Sequence, residues 1–159
     1  MTQLFVSIRG ADEFAKVLKS APEISMPILQ NALNATAFNI EAKAKQKAPV
    51  REGRLRGSIT TMPARVSSRE IIASVGTNLK YAPYQEFGTG VYAGNPPITP
   101  KRARVLRFKT RGGQIVFARQ VKGTKPIHYF RDAISETRDF FESITERALE
   151  LINRKLATL

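Results

Sequence analysis

His128 is the single histidine of this 159-residue chain, and there is no cysteine. Without cysteine there is no thiolate chemistry and no cysteine-ligated zinc, no second metal ligand stands at a helical or zinc-like spacing, and one imidazole with few acids near the basic core is a poor inventory for an active site. His128 stands in Lys125-Pro-Ile-His-Tyr-Phe130, just ahead of an apolar helical pattern, a place that suits a turn or packing residue better than a catalyst. Glu86 and Asp132 are candidates for a shared magnesium ion in phosphodiester cleavage, but two acids so far apart in sequence are readily explained by chance. Gly88-Thr-Gly90 lacks the Gly-Lys-Ser or Gly-Lys-Thr ending of a phosphate-binding loop and reads as a turn, and no Gly-x-Ser-x-Gly elbow occurs. The chain is therefore expected to be no enzyme, with no metal and no cofactor.

Cationic side chains are the abundant resource. The chain has 26 Lys and Arg against 13 Asp and Glu, a net charge of +13 and a pI near 10.5. Residues 42–131 hold 19 of the basic residues and three acids, Glu52, Glu70 and Glu86, for a net +16, so the two flanks together are net −3. The densest run is Lys101, Arg102, Arg104, Arg107, Lys109, Arg111, Arg119, Lys122 and Lys125, with no acid among them; Lys43, Lys45, Lys47, Arg51, Arg54 and Arg56 form a second. An ordinary solvated face mixes both signs. The excess thus points to a partner rich in phosphate or carboxylate, and composition does not choose among nucleic acid, an acidic protein and an anionic membrane. Two alternatives fit such a composition, a small basic nucleic-acid-binding protein or a toxin-type endoribonuclease working with Arg, Lys and Tyr.

The elements that must carry these residues follow from periodicity. Leu4 to Ile8 reads as a short strand ended by Gly10, and Ala11 to Lys19 as a short helix. A longer helix follows, started either by the capping box Ser20-Ala-Pro-Glu23 or by Ser25 with Pro27 in its first turn; the later start is favoured because Pro27 would break an interior turn. Met26, Leu29, Leu33, Ala37, Ile40, Ala44 and Ala48 share one face of it until Pro49. Ser58 to Val66 and Ile71 to Thr77 predict a hairpin around Ser67-Ser68-Arg69, with Ile71, Ala73 and Val75 on one side. Gly88 to Pro100, with three glycines and three prolines, predicts an exposed loop of the kind that serves function or is ordered by a partner. Arg104 to Lys109 and Gln114 to Val121 predict a second hairpin across Arg111-Gly112-Gly113, with Leu106, Phe108, Ile115 and Phe117 toward the core and the cations opposite.

Phe130 to Leu156 closes the chain as an amphipathic helix with Phe130, Ile134, Thr137, Phe141, Ile144, Ala148 and Leu151 in its stripe, widened by Phe140, Ile152 and Leu156. The expected architecture is α+β: a single domain over 1–159, in which a small antiparallel sheet of hairpins packs against a long central helix and a long C-terminal helix. The opening residues lack a charged segment followed by an apolar one, and nothing approaches the ~20 apolar residues of a membrane span. Folding in a reducing cytoplasm, with no membrane partner, is the expectation.

Three blocks carry a family resemblance. Gly53-Arg-Leu-Arg-Gly-Ser-Ile59, after Ala48-Pro49 at the end of a long helix, resembles a recurring signature of tailed-phage neck and tail-completion proteins, the head-to-tail joining and minor tail proteins of siphophage type. Val75-Gly-Thr-Asn78 followed by Tyr81-Ala-Pro-Tyr-Gln-Glu-Phe-Gly-Thr89 is similar to that family's strand and Tyr-Ala-x-x-x-Glu-x-Gly-Thr segment. Pro126 to Ala133 is similar to its Pro-x-x-Phe-Leu-x-x-Ala lead into the final helix. The blocks come in the family's order over roughly residues 30 to 140. The resemblance implies a structural virion protein at the head-tail junction, assembled in the host cytoplasm into a six-fold or twelve-fold ring. Such a ring would contact neighbouring neck and tail-tube proteins and surround the DNA exit path, and basic walls there suit non-specific contact with DNA. Tyr81, Tyr84 and Phe87 are of the types enriched in interface cores, and packing inside the monomer stays an equal alternative. Glu86 would pair with an arginine of a neighbouring subunit, or with Arg54 or Arg56 of its own chain.

Overall fold

The computed structural model describes residues 4–9, 22–67, 70–110 and 112–156, with the backbone alone for 4–9 and 22. The helix expected at Ala11 to Lys19 and the capping role of Ser20 lie outside them. The chain falls into two compact units, one from the described parts of Met1–Lys80 and Tyr129–Leu159, the other Tyr81–His128.

In the first unit, a strand β1 (Leu4–Arg9) precedes helix α1 (Pro22–Lys47). A short helix α2 (Arg54–Ser58) leads into strands β2 (Thr60–Val66) and β3 (Ile71–Thr77), and helix α4 (Tyr129–Leu156) ends the unit. The sheet is antiparallel throughout in the order β1-β3-β2, so β3 is central. Its Ile71, Ala73 and Val75 are buried on the side the alternation assigned to them. Ser58, expected to open β2, instead ends α2.

Helix α1 starts earlier than the favoured reading. Pro22 is its first residue, where a fixed φ costs nothing, and Pro27 sits inside it. That ring deletes one bond, to the Glu23 carbonyl, close enough to the first turn that the helix continues. Glu23 in the first turn and Lys45 and Lys47 in the last complement the helix dipole. Leu29, Leu33, Ala37, Ile40, Ala44 and Ala48 are buried as the spacing required, while Met26 is half-buried.

Packing of α1 on the sheet compensates for a defect in β2. Met62 pairs with Ser74 and Arg65 with Ile72, so Pro63 and Ala64 together oppose one residue in a β-bulge. Ala64 is buried and leaves the ladder, and α1 supplies its partners: the Asn34 Oδ1 accepts from the Ala64 N–H at 2.6 Å, and the Gln30 Nε2 donates to the Ala64 carbonyl at 2.8 Å. Bulge and proline also blunt an edge strand that would otherwise invite pairing.

Helices α1 and α4 pack on each other, with Asn39, Lys43 and Lys47 of α1 bonding to residues of α4. The Thr137 hydroxyl donates to the Ala133 carbonyl at 2.8 Å and lies 3.1 Å from Asn39 Oδ1 of α1. The buried stripe of α4 differs from the expected one. It runs Phe130, Ala133, Thr137, Phe141, Ile144, Ala148 and Ile152, with Phe141 and Ile144 half-buried, whereas Ile134, Phe140 and Leu151 are exposed. A mean step of about 3.5 residues drifts off a straight helix of 3.6 residues per turn, and the stripe that stays on one side steps by slightly more than 3.6.

In the second unit, a six-residue helix α3 (Ala82–Phe87) and a 3-10 turn (Gly90–Ala93) precede a two-stranded antiparallel ribbon of β4 (Leu106–Lys109) and β5 (Ile115–Ala118). Leu106, Phe108, Ile115 and Phe117 do not form a core: Leu106 is half-buried, Phe108 is 42% exposed, Ile115 49% and Phe117 62%. The register explains why one face could not collect them. Leu106 and Phe108 lie opposite Ala118 and Val116, while Ile115 and Phe117 lie opposite Lys109 and Arg107 on the other face.

Candidate partner-binding surface

Two of the motif blocks meet in the first unit. Gly53, in the left-handed region at φ 76°, opens α2 and lets Leu55 and Ile59 turn inward to full burial. The Ser58 hydroxyl accepts or donates a 2.6 Å bond with that of Thr77 at the end of β3, and the Thr77 oxygen also accepts from the Leu79 N–H. The conspicuous residues of Gly53 to Ile59 thus anchor the loop to the central strand, and Arg54 and Arg56 face solvent. Arg54 pairs with Glu52 at 3.2 Å.

Three of the six cations of the second basic run, Lys45, Lys47 and Arg54, pair with local acids, and Arg51 and Arg56 form no ion pair among the described residues. Lys45 pairs with Glu41 one turn earlier, Lys47 with Glu136 of α4 at 2.6 Å, and the Lys43 ammonium donates to the Glu136 carbonyl. Partial burial raises the Glu41 pKa, but hydrogen bonds from Lys45 and Thr61 and the Lys45 charge outweigh it and hold the carboxyl below its ordinary value.

In the second unit the Tyr81 to Thr89 block is built into a clasp. The α3 C-terminus is closed by distant amides: Ile127 N–H donates to the Gln85 carbonyl at 2.8 Å and His128 N–H to that of Glu86 at 3.3 Å. His128 adopts φ 57°, and its backbone, not its ring, does this work. Beyond α3, residues 88–98 run alongside 121–126. Thr89 N–H donates to the Thr124 carbonyl, Thr124 N–H to the Thr89 Oγ1, and Val91 N–H to the Lys122 carbonyl; Ile98 and Val121 exchange both backbone bonds. Gly123, at φ 102°, lies so close that a Cβ would stand 2.1 Å from the Thr89 carbonyl oxygen. Gly88-Thr-Gly90 is therefore one half of a backbone clasp and not a nucleotide cradle. Residues 91–99 on its outer side are exposed, while Gly88 and Gly90 are buried.

The clasp and ribbon display the predicted cations. Lys101, Arg102, Arg104, Arg107, Lys109, Arg119, Lys122 and Lys125 are all exposed, and Arg111 lies outside the described residues. Only Arg107 and Lys109 belong to paired strands. Glu86, the one acid of Tyr81–His128, is 2% exposed, so the surface of this unit presents no carboxylate among its described residues. Apolar groups are interleaved with the charge: Tyr81, Tyr84, Phe87 and Tyr92 are exposed, and the Lys125 ammonium stands 5.9 Å from the centroid of the Tyr92 ring. Tyr92, and the placement of Ile115 and Phe117 on the cationic face, escaped the reading of the sequence. Among the described residues no group of three acids or histidines could hold a metal ion, and no helix is long and apolar enough to cross a membrane.

Residues 12–88 match the HK97-gp10-like family. That family is described as "Bacteriophage HK97-gp10, putative tail-component", and the match covers just under half of the chain. The matched stretch contains the Gly53 to Ile59 block and the Tyr81 block as far as Gly88; the span Lys101 to Lys125 lies beyond it. No curated protein and no solved structure matches the chain.

Proposed function

We propose that this chain is a structural protein of the head-tail junction of a tailed phage, assembled as a ring that joins or completes the tail and surrounds the DNA exit path. The match of residues 12–88 to a phage tail-component family carries the reading. The carboxylate-free surface of Tyr81–His128 supports it, because a ring around DNA, or one seated on acidic neighbours, benefits from walls of one sign. In this reading Tyr81, Tyr84 and Phe87 meet a neighbouring subunit, and the exposed residues 91–99 reach a neck or tail-tube protein. Neither role requires catalysis.

Deleting the gene from the phage or prophage that carries it, and imaging the lysate by electron microscopy, tests the proposal. Filled heads lying apart from tails are expected. Normal infectious particles would overturn the structural role and turn attention to nucleic-acid binding, beginning with an RNA-cleavage assay on the purified chain.

A further inference from the structure

We infer that the Arg107 and Lys109 face of the β4–β5 ribbon docks on the outer face of α4 in a second copy of this chain. The inference rests on the ring reading and names the two surfaces that would build it. On the ribbon, Arg107 and Lys109 share a face with Phe117 and Ile115, and neither cation forms an ion pair among the described residues. A two-stranded ribbon is only marginally stable alone, and a face that alternates cation and apolar group gains by being covered.

Helix α4 offers the complement. Asp139, Glu142, Glu146 and Glu150 recur at steps of three and four on the side opposite the buried Thr137 and Ala148, and all four are exposed. Glu142 is held by Arg138 at 3.1 Å, whereas Asp139, Glu146 and Glu150 have no ion-pair partner among the described residues. Carboxylates one turn apart are separated by ~6 Å along the helix, and alternate residues of a strand by roughly 6.8 Å, so Arg107 and Lys109 can address Glu146 and Glu150 together. Phe140 and Leu151, exposed between that ridge and the buried stripe on the side that carries Arg147, provide apolar surface for Phe117 and Ile115. Duplex DNA would satisfy the cations but leave these two side chains without an apolar partner. Because the two surfaces differ, the contact is head-to-tail, the type that closes into a ring when the rotation permits.

The test is sedimentation velocity on the full chain at physiological salt, up to about 1 mM, where even a contact of about 4 kcal/mol is half-populated. Wild type is expected to self-associate. Arg107→Glu with Lys109→Glu, and separately Glu146→Lys with Glu150→Lys, should each weaken association by about tenfold or more, since each sets like charges against each other. An equimolar mixture of the two variants should restore it, which misfolded chains could not do. A wild type that stays monomeric, variants that associate normally, or a mixture that fails to recover would each overturn the inference. So would loss of binding to a random duplex DNA in the first variant with self-association intact, which would assign the face to DNA. Detached heads and tails on gene deletion, combined with any of these failures, would leave the ring reading standing without this contact.

Discussion

In the unit formed by α1, α4 and the three-stranded sheet, Ile59, Val75 and Ile152 are completely buried, and lysines 43, 45 and 47 are answered by Glu41 and Glu136. In Tyr81–His128 the pattern inverts: Phe108, Ile115 and Phe117 are exposed, and eight described cations share a surface on which the only acid is buried. Secondary structure is regular in the first and held by a clasp of backbone bonds and glycines in the second. The first unit buries a core of its own, with Phe38, Phe140 and Leu151 left exposed, whereas the second leaves most of its large apolar side chains exposed beside unmatched charge, the composition that the proposed partner-binding surface needs.

Substitutions should break this contrast in order of size. Phe130→Ala, which empties a buried site at the start of α4, should cost about 3–5 kcal/mol and lower the global unfolding midpoint in urea. Gly123→Ala forces a side chain both into the left-handed region and against the Thr89 carbonyl, so roughly 2–5 kcal/mol is expected. Its signature is local: hydrogen exchange should accelerate at Thr89, Val91 and Thr124 while amides of α1 and α4 stay protected.

Ser58→Ala should cost about 1 kcal/mol through the lost bond to Thr77, read from thermal melts. Phe117→Ser should change stability by no more than about 0.5 kcal/mol, a value that a core phenylalanine could not show. The smallest effect is the pH response of Glu41. Its folded pKa is lowered, so its contribution is present above the ordinary value of 4.5 and lost as pH falls through the folded value. Glu41→Gln should flatten that part of the stability curve, measured as midpoint against pH.

Much of the first unit was legible in the sequence because its elements follow one period over many turns. The face Leu29 to Ala48 and the alternation Ile71, Ala73, Val75 needed only local geometry. The start of α1 was misjudged because one proline near a helix N-terminus costs less than one in its middle. The stripe of α4 slipped by one residue at Ile134 and Leu151 because a step of 3.5 and one of 3.6 separate only over several turns. In the ribbon the turn decides the faces: a loop centred on Gly112 pairs odd positions with odd, which puts Ile115 and Phe117 beside Lys109 and Arg107. The clasp was not legible, since the pairing of Thr89 with Thr124 joins segments 35 residues apart with no pattern in either. The cations of the candidate surface were found by counting alone, and Tyr92 was missed because its contact with Lys125 is equally non-local.

The most direct test is complementation of the deleted gene in its phage. A chain with Arg107, Lys109, Arg119 and Lys122 changed to Gln should fold and melt like wild type yet leave the titre near that of the deletion. A chain with the exposed Arg51 and Arg65 of the first unit changed to Gln should restore it. Full titre from the first chain would contradict the claim that the second unit carries the partner-binding surface.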